Sequence, residues 1–284
     1  MMAEFENNHY VPEMLLKRFT DGKGGLFYYD KRKPEKPIER RNIDSIFCQN
    51  NLYVDIDKNG NRDVSLERDV YGTLESDATL IVDKIVEAAR KDKLPQLTRV
   101  EKSKWDEFFA RQWARTPDAH AKHSESFNFQ NEIKSSLDFF EQNVRPISLA
   151  EHAKFNDPEY LKKLRKTTFI GSLKPSGGMS QHALGTRGLG IVRISDAKKS
   201  FIIGSFPVVK LTFPGRTKLT DPTVEAWLPI SHDVAVTPWG LKGQEARNII
   251  DGTKVQELNQ FICAQSTEIA GCSEALLQSL LNGG

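Results

Sequence analysis

No stretch of this 284-residue chain strings together the roughly 20 apolar residues that a membrane-spanning helix needs. Cysteine is sparse as well. Cys48, Cys263 and Cys272 are scattered and no CxxC spacing occurs, which argues against a zinc knuckle or a disulfide framework and fits a reducing compartment. Neither sign of charge dominates: 40 Lys and Arg stand against 38 Asp and Glu, a formal net charge of +2. A generic polycation is thereby excluded, whereas a local basic face is not. The opening MMAEFENNHY has no apolar run and carries two glutamates, so it does not read as a signal peptide. These absences lead to the expectation of a soluble, cytoplasmic protein with no membrane partner. Site signatures are missing too, since GxxxxGK[ST], HExxH and GxSxG are all absent.

What is present is an ordinary globular composition, with 38% hydrophobic and 27% charged residues, on a length that suits one domain over residues 1–284. In residues 1–64, GGLFYYDK has the character of a short strand, two prolines keep KRKPEKPIERR from being helical, and DKNGN turns through Asn59-Gly60. The period changes in residues 65–145. Leu66, Val70, Leu74, Ile81, Val82, Ile85 and Ala89 recur at three- and four-residue steps, predicting a helix capped by Ser65 and ended before Pro95. A second long helical block follows, kinked or broken at Pro117, with Trp105, Phe109 and Trp113 on one core-facing stripe. Residues 165–240 hold LGIVRI, SFIIGSFPVVKL, VEAWLPI and VAVTP, short β-branched runs that predict an antiparallel sheet. Residues 243–284 predict a pair of helices broken near Gly252 or Gly271. The expected fold class is α+β: central long helices, an antiparallel sheet from the C-terminal half and a short N-terminal strand region.

Candidate chemistry is thin. GTRGLG at 185–190 and SGG at 176–178 do not match a phosphate loop and read as flexible segments. His120 and His123, with Asp118 nearby, share a spacing but no metal motif, and read as a solvated polar helix end. Arg111 and Arg115 in FFARQWARTP project from one helix face. Two guanidinium forks there suit a bound phosphate or carboxylate, or an internal ion pair with Glu67 or Glu75. Lys31, Arg32, Lys33, Arg40 and Arg41, with Lys162, Lys163, Arg165 and Lys166, read either as solvated faces or as a track for a phosphate backbone.

HYVPEMLLKRF, the LE and LES of the first long helix, FFARQWARTP, FIIGSFPVV and AWLPIS come in an order that resembles one bacterial and phage family. That family opens with HYVP and is known as domain of unknown function 4238. The resemblance runs from His9 to about Pro238 and implies a shared arrangement of residues rather than a reaction. It implies a His in HYVP, a Glu in the first long helix and an Arg before Thr-Pro, which fall on His9, Glu75 (or Glu67) and Arg115. Where the family pattern has an Asp at a strand end, this chain has Ser205. A hydroxyl cannot hold the negative charge of a metal ligand or base at neutral pH.

Two functions then stand side by side. In one, the chain is a binding or regulatory module with a buried His9–Glu75–Arg115 network and a nucleic-acid or protein partner. In the other, it is a phosphodiester hydrolase acting on nucleic acid in phage defence. There His9 is the general acid or base, Arg111 and Arg115 neutralise phosphate charge, and Glu75 orients His9 or, with Glu67, holds a divalent metal. Ser205 in place of an acid favours the first.

Overall fold

The computed structural model describes residues 7–283 except 21, 23, 57–60, 127–128, 175–178, 213 and 217, and leaves aside the side chains of 123–126, 130 and 179–180. The Asn59-Gly60 turn, the SGG segment and the His123 side chain therefore lie outside the described residues. The chain starts with β1 (Asn7–His9), α1 (Glu13–Leu16), β2 (Gly25–Asp30), β3 (Glu39–Asn42), β4 (Cys48–Asn50), β5 (Asp55–Ile56) and β6 (Arg62–Asp63). A π-helical turn at Leu66–Tyr71 runs into α2 (Gly72–Arg90) and then α3 (Arg99–Ala114) and α4 (Pro117–Ser126). Next come α5 (Phe129–Asn143), α6 (Leu149–Phe155), α7 (Pro158–Leu173) and α8 (Met179–Gly185). Strands β7 (Gly188–Ile194), β8 (Ile203–Gly204), β9 (Val209–Leu211), β10 (Glu225–Pro229), β11 (Val234–Trp239) and β12 (Glu245–Ile250) follow. The last elements are α9 (Gly252–Gln265), β13 (Glu268–Gly271) and α10 (Glu274–Asn282).

Helix α2 forms because Leu74, Ala78, Ile81, Val82, Ile85, Val86 and Ala89 make a continuous buried stripe. Ser65 does not cap it. That residue is itself helical and makes no cap bond, and the first turn is a π-helix that carries Glu67 and Tyr71. Helix α3 opens on a capping box. The Thr98 hydroxyl accepts from Glu101 N at 3.2 Å, and the Glu101 carboxylate accepts from Thr98 N at 2.7 Å. It stops at Arg115, and Pro117 starts α4 at a position where its missing N–H costs nothing. Trp105 and Phe109 are buried, and Trp113 packs at the margin of the core.

The α+β class is the one observed. β7 is the second strand of a five-stranded sheet in the order β12-β7-β11-β10-β9, antiparallel to β11 and parallel to β12. Flanked on both edges, GLGIVRI is apolar almost throughout and almost fully buried. A second sheet, β3-β2-β13-β8, pairs N-terminal β2 with C-terminal β13, and a two-stranded ladder joins β1 to β4. Three local expectations are corrected. Residues 165–173 and 179–185, which were read into the sheet region, belong to helices α7 and α8. GTRGLG leads into β7 rather than forming a flexible loop. EARNII is strand β12, because its pairing with β7 outweighs local helical pattern. The C-terminal helix pair is broken by β13 at Gly271, with α9 starting at Gly252. The hydrophobic core joins residues from Tyr10 to Leu280, and among the described residues α5 and α6 add no side chain to it.

Candidate functional site

Arg115 is the largest fully buried side chain in the protein. Its position at the end of α3 follows from the α3–α4 break, which leaves it facing the N-terminal strand. Nε donates to Tyr10 O at 3.1 Å, Nη1 to the Glu75 carboxylate at 2.7 Å, and Nη2 to His9 O. The guanidinium also lies 4.3 Å from the Tyr71 ring centroid and 5.8 Å from that of Tyr53. Gln112, one turn earlier on the same face, donates to Tyr10 O at 2.9 Å, and the Tyr53 hydroxyl donates to Arg115 O at 3.0 Å. Arg115 and Gln112 thus grip the His9-Tyr10 main chain, and β1 carries β4 with it through the His9–Cys48 pairing.

The group expected from the sequence is brought together in part. Arg115 and Glu75 form a direct ion pair, with Arg115 1% and Glu75 27% exposed. His9 joins through its carbonyl, whereas its imidazole bonds Ile43 O at 3.2 Å and faces Glu13 at 3.9 Å. Arg111 turns away to the Leu173 and Lys174 carbonyls and to Glu107, tying α3 to the end of α7. Tyr71 stands between these charges. Burial pushes its phenol up to about 12 against the pull of Arg115 and Arg111, and its hydroxyl has no hydrogen-bond partner among the described residues.

Ser205 sits elsewhere, buried beside β13. Its hydroxyl donates to the Asp118 carboxylate, which also accepts from Thr267 N at 2.7 Å and Thr267 Oγ1 at 2.9 Å. Glu268 N donates back to Ser205 Oγ at 2.9 Å. The reading of Asp118 as a solvated helix end is corrected: it ties the start of α4 to β13. Glu268 in turn accepts from the Tyr10 hydroxyl at 2.6 Å and from Arg32, and the buried Tyr10 phenol is pushed up by burial first and by the neighbouring Glu268 second. Sequence reasoning passed over Tyr10, Gln112, Tyr71 and Glu268. Only Gln112 carried a signal, since it lies three residues before Arg115 on one helix face.

The N-terminal basic strip is engaged within the fold. Lys31 donates to Cys263 O, Arg32 pairs with Asp30 and Glu268, and Lys33 lies 3.6 Å from Asp30. Arg41 pairs with Glu39 over the Tyr28 ring, and Arg40 packs its guanidinium on Gly25. The second basic group is different. Lys162, Arg165 and Lys166 of α7 wall a cavity of about 590 Å³ whose opposite side is Asn50 and Asn51 at the end of β4. No acidic side chain lines it among the described residues. His120 and Phe169 form its back, their rings stacked with centroids 4.3 Å apart. Burial pushes the Lys166 ammonium down against the pull of nearby Asp55, and Lys166 Nζ donates to Asn51 O at 3.0 Å across the cavity.

No group of three or more His, Cys, Asp or Glu side chains is placed to hold a metal ion among the described residues, and Glu75 is already claimed by Arg115. The donors therefore do not fit the divalent metal considered for Glu67 and Glu75. No helix among the described residues is long and apolar enough to cross a membrane. Fold and site together define an α+β protein with an internal arginine network and an outward cationic cavity. The chain belongs to the family described as protein of unknown function, DUF4238, whose model matches residues 7–272. No curated protein and no solved structure matches the chain.

Proposed function

We propose that this protein is a nucleic-acid-binding module that holds a single-stranded phosphate backbone in the cavity between α7 and β4. The observation that carries this reading is the lining itself: three cations, a tilted His–Phe ring pair and, among the described residues, no lining acid. Lysine and arginine attract phosphates by releasing their condensed counterions, and the half-buried His120 ring, backed by buried Phe169, offers a face on which a base can stack without regard to sequence. In this reading Glu75, Arg115 and the His9 carbonyl act as a scaffold. They fix β1, hence β4, and Arg115 lies two residues from Pro117 on the cavity wall. The test is the salt dependence of binding to a labelled oligothymidylate and to the matching RNA. Binding that weakens with salt is expected. Replacing Lys162, Arg165 and Lys166 together by Ala should make the log–log salt slope shallower by roughly 2, at about 0.7 per lost contact. An unchanged slope would sink the proposal.

Hydrolysis of a phosphodiester is the second reading, and one observation favours it: an imidazole, His120, lines the same cationic cavity. Release of shortened oligonucleotide, abolished by His120→Ala with binding retained, would select it.

A further inference from the structure

The GTRGLG segment, which the nucleic-acid reading does not use, forms the floor of a second cavity of about 590 Å³. Its walls are the start of α3, the loop before it and the turn between β11 and β12. Buried polar ties hold these walls in place. Arg187 donates to the carbonyls of Gly240 (3.0 Å), Leu219 (2.9 Å), Asp221 (2.9 Å), Pro222 (3.3 Å) and Pro238 (3.0 Å). Lys102 reaches from α3 to Arg187 O at 3.0 Å and to both Asp106 oxygens at 2.6 and 2.7 Å. Glu245 accepts from Gln96 N and Leu97 N, each at 3.1 Å, and so pins the loop before α3 to β12. A Cβ at Gly188 would overlap the Gln244 carbonyl, so only glycine lets the turn close so tightly on the floor. The cavity is therefore preformed, and its volume falls in the usual range for small-molecule sites.

Its charges are not all used in this framework. Lys102 has its three donors committed, and Arg187 is saturated by carbonyls. Arg99 and Lys242, on the exposed rim, make no ion pair among the described residues, although Lys242 acts on the Asp106 carboxyl through its charge. Two rim cations without a salt-bridge partner among the described residues, lining one preformed cavity, make a place for an oxyanion. Behind them, Asp106 takes one bond from Lys102 on each oxygen and keeps acceptor capacity for a donor group on the same ligand.

We propose that this cavity binds a small anionic molecule through a phosphate or carboxylate group held by Arg99 and Lys242, with Asp106 receiving a hydroxyl or amine of the same molecule. The site shares no residue with the cationic cavity of α7, so the two proposals stand or fall separately. The test is calorimetric titration of the full chain with inorganic phosphate and, separately, with succinate, at constant ionic strength. Saturable binding of at least one probe is expected, and which probe saturates tells phosphate from carboxylate. The Arg99→Ala/Lys242→Ala variant should weaken that binding at least ~10-fold, while Lys198→Ala, an exposed lysine outside both cavities, leaves it unchanged. Both replaced side chains are exposed, and an unfolding curve recorded on the same sample confirms that the variant is folded. No saturable binding of either probe, equal binding by the double variant, or an equal loss in Lys198→Ala would overturn the proposal.

Discussion

An arginine that is 1% exposed, with each of its three guanidinium nitrogens bonded inside the protein, is closed to a ligand from solvent, and Arg115 is in that position. Its value is structural. Removing it strands the His9 and Tyr10 carbonyls and the Glu75 carboxylate, so Arg115→Met should cost about 3–5 kcal/mol of unfolding free energy. Glu75→Gln keeps an acceptor but loses the charge, and should cost about 1–3 kcal/mol. Denaturant titration of the two variants checks both values. Ser205 makes a sharper test. Its hydroxyl donates to Asp118, so Ser205→Asp would place two carboxylates face to face in a buried site. Such a pair binds a proton more tightly folded than unfolded, so its cost grows as pH rises. Ser205→Asp should therefore lower the melting temperature at pH 7, less so at pH 5, and adding Asp118→Ser should restore much of it.

At the scale of elements, α3 organises the molecule. Its N-terminus is fixed by the Thr98–Glu101 capping box, its middle by Lys102 and Asp106 against β7, and its C-terminus by Arg111 and Arg115. Asp106 gives this arrangement a pH signature. Burial pushes its carboxyl up to about 6 from an ordinary 3.8, with Lys102 and Lys242 pulling the other way. Because the folded state holds the proton more tightly, Asp106 costs nothing below about pH 4, and its penalty grows to ~3 kcal/mol above about pH 6. The unfolding free energy of wild type relative to Asp106→Asn should fall by that amount between pH 4 and pH 7. A flat difference across that range would show that Asp106 is not desolvated as described.

For the whole molecule, local patterns carried the helices further than the sheets. The α2 stripe and the Pro117 break were legible because three- and four-residue spacing and a missing N–H act within a few residues. The β2–β13 pairing was not, since it joins Tyr28 to Ala270 across nearly the full chain. Likewise EARNII carries no local mark of the β7 edge beside which it lies. The Glu75–Arg115 pair could be anticipated, because two charges on neighbouring helices leave few other partners. The direction of the His9 imidazole could not, as it depends on Ile43, 34 residues away. Nor could the division of basic residues be read in advance. Lys31 to Arg41 and Lys162 to Lys166 look alike as sequence, yet the first group meets carboxylates, carbonyls and packing partners, whereas Lys162, Arg165 and Lys166 wall a cavity with no lining acid among the described residues. In the proposed function, the scaffold and the binding surface are separate parts of the molecule. The most direct test is one oligothymidylate-binding titration run on two folded variants. The Lys162→Ala/Arg165→Ala/Lys166→Ala protein should lose most of its affinity, while Glu75→Gln binds as wild type does. Full affinity in the triple variant, with loss in folded Glu75→Gln, would contradict it.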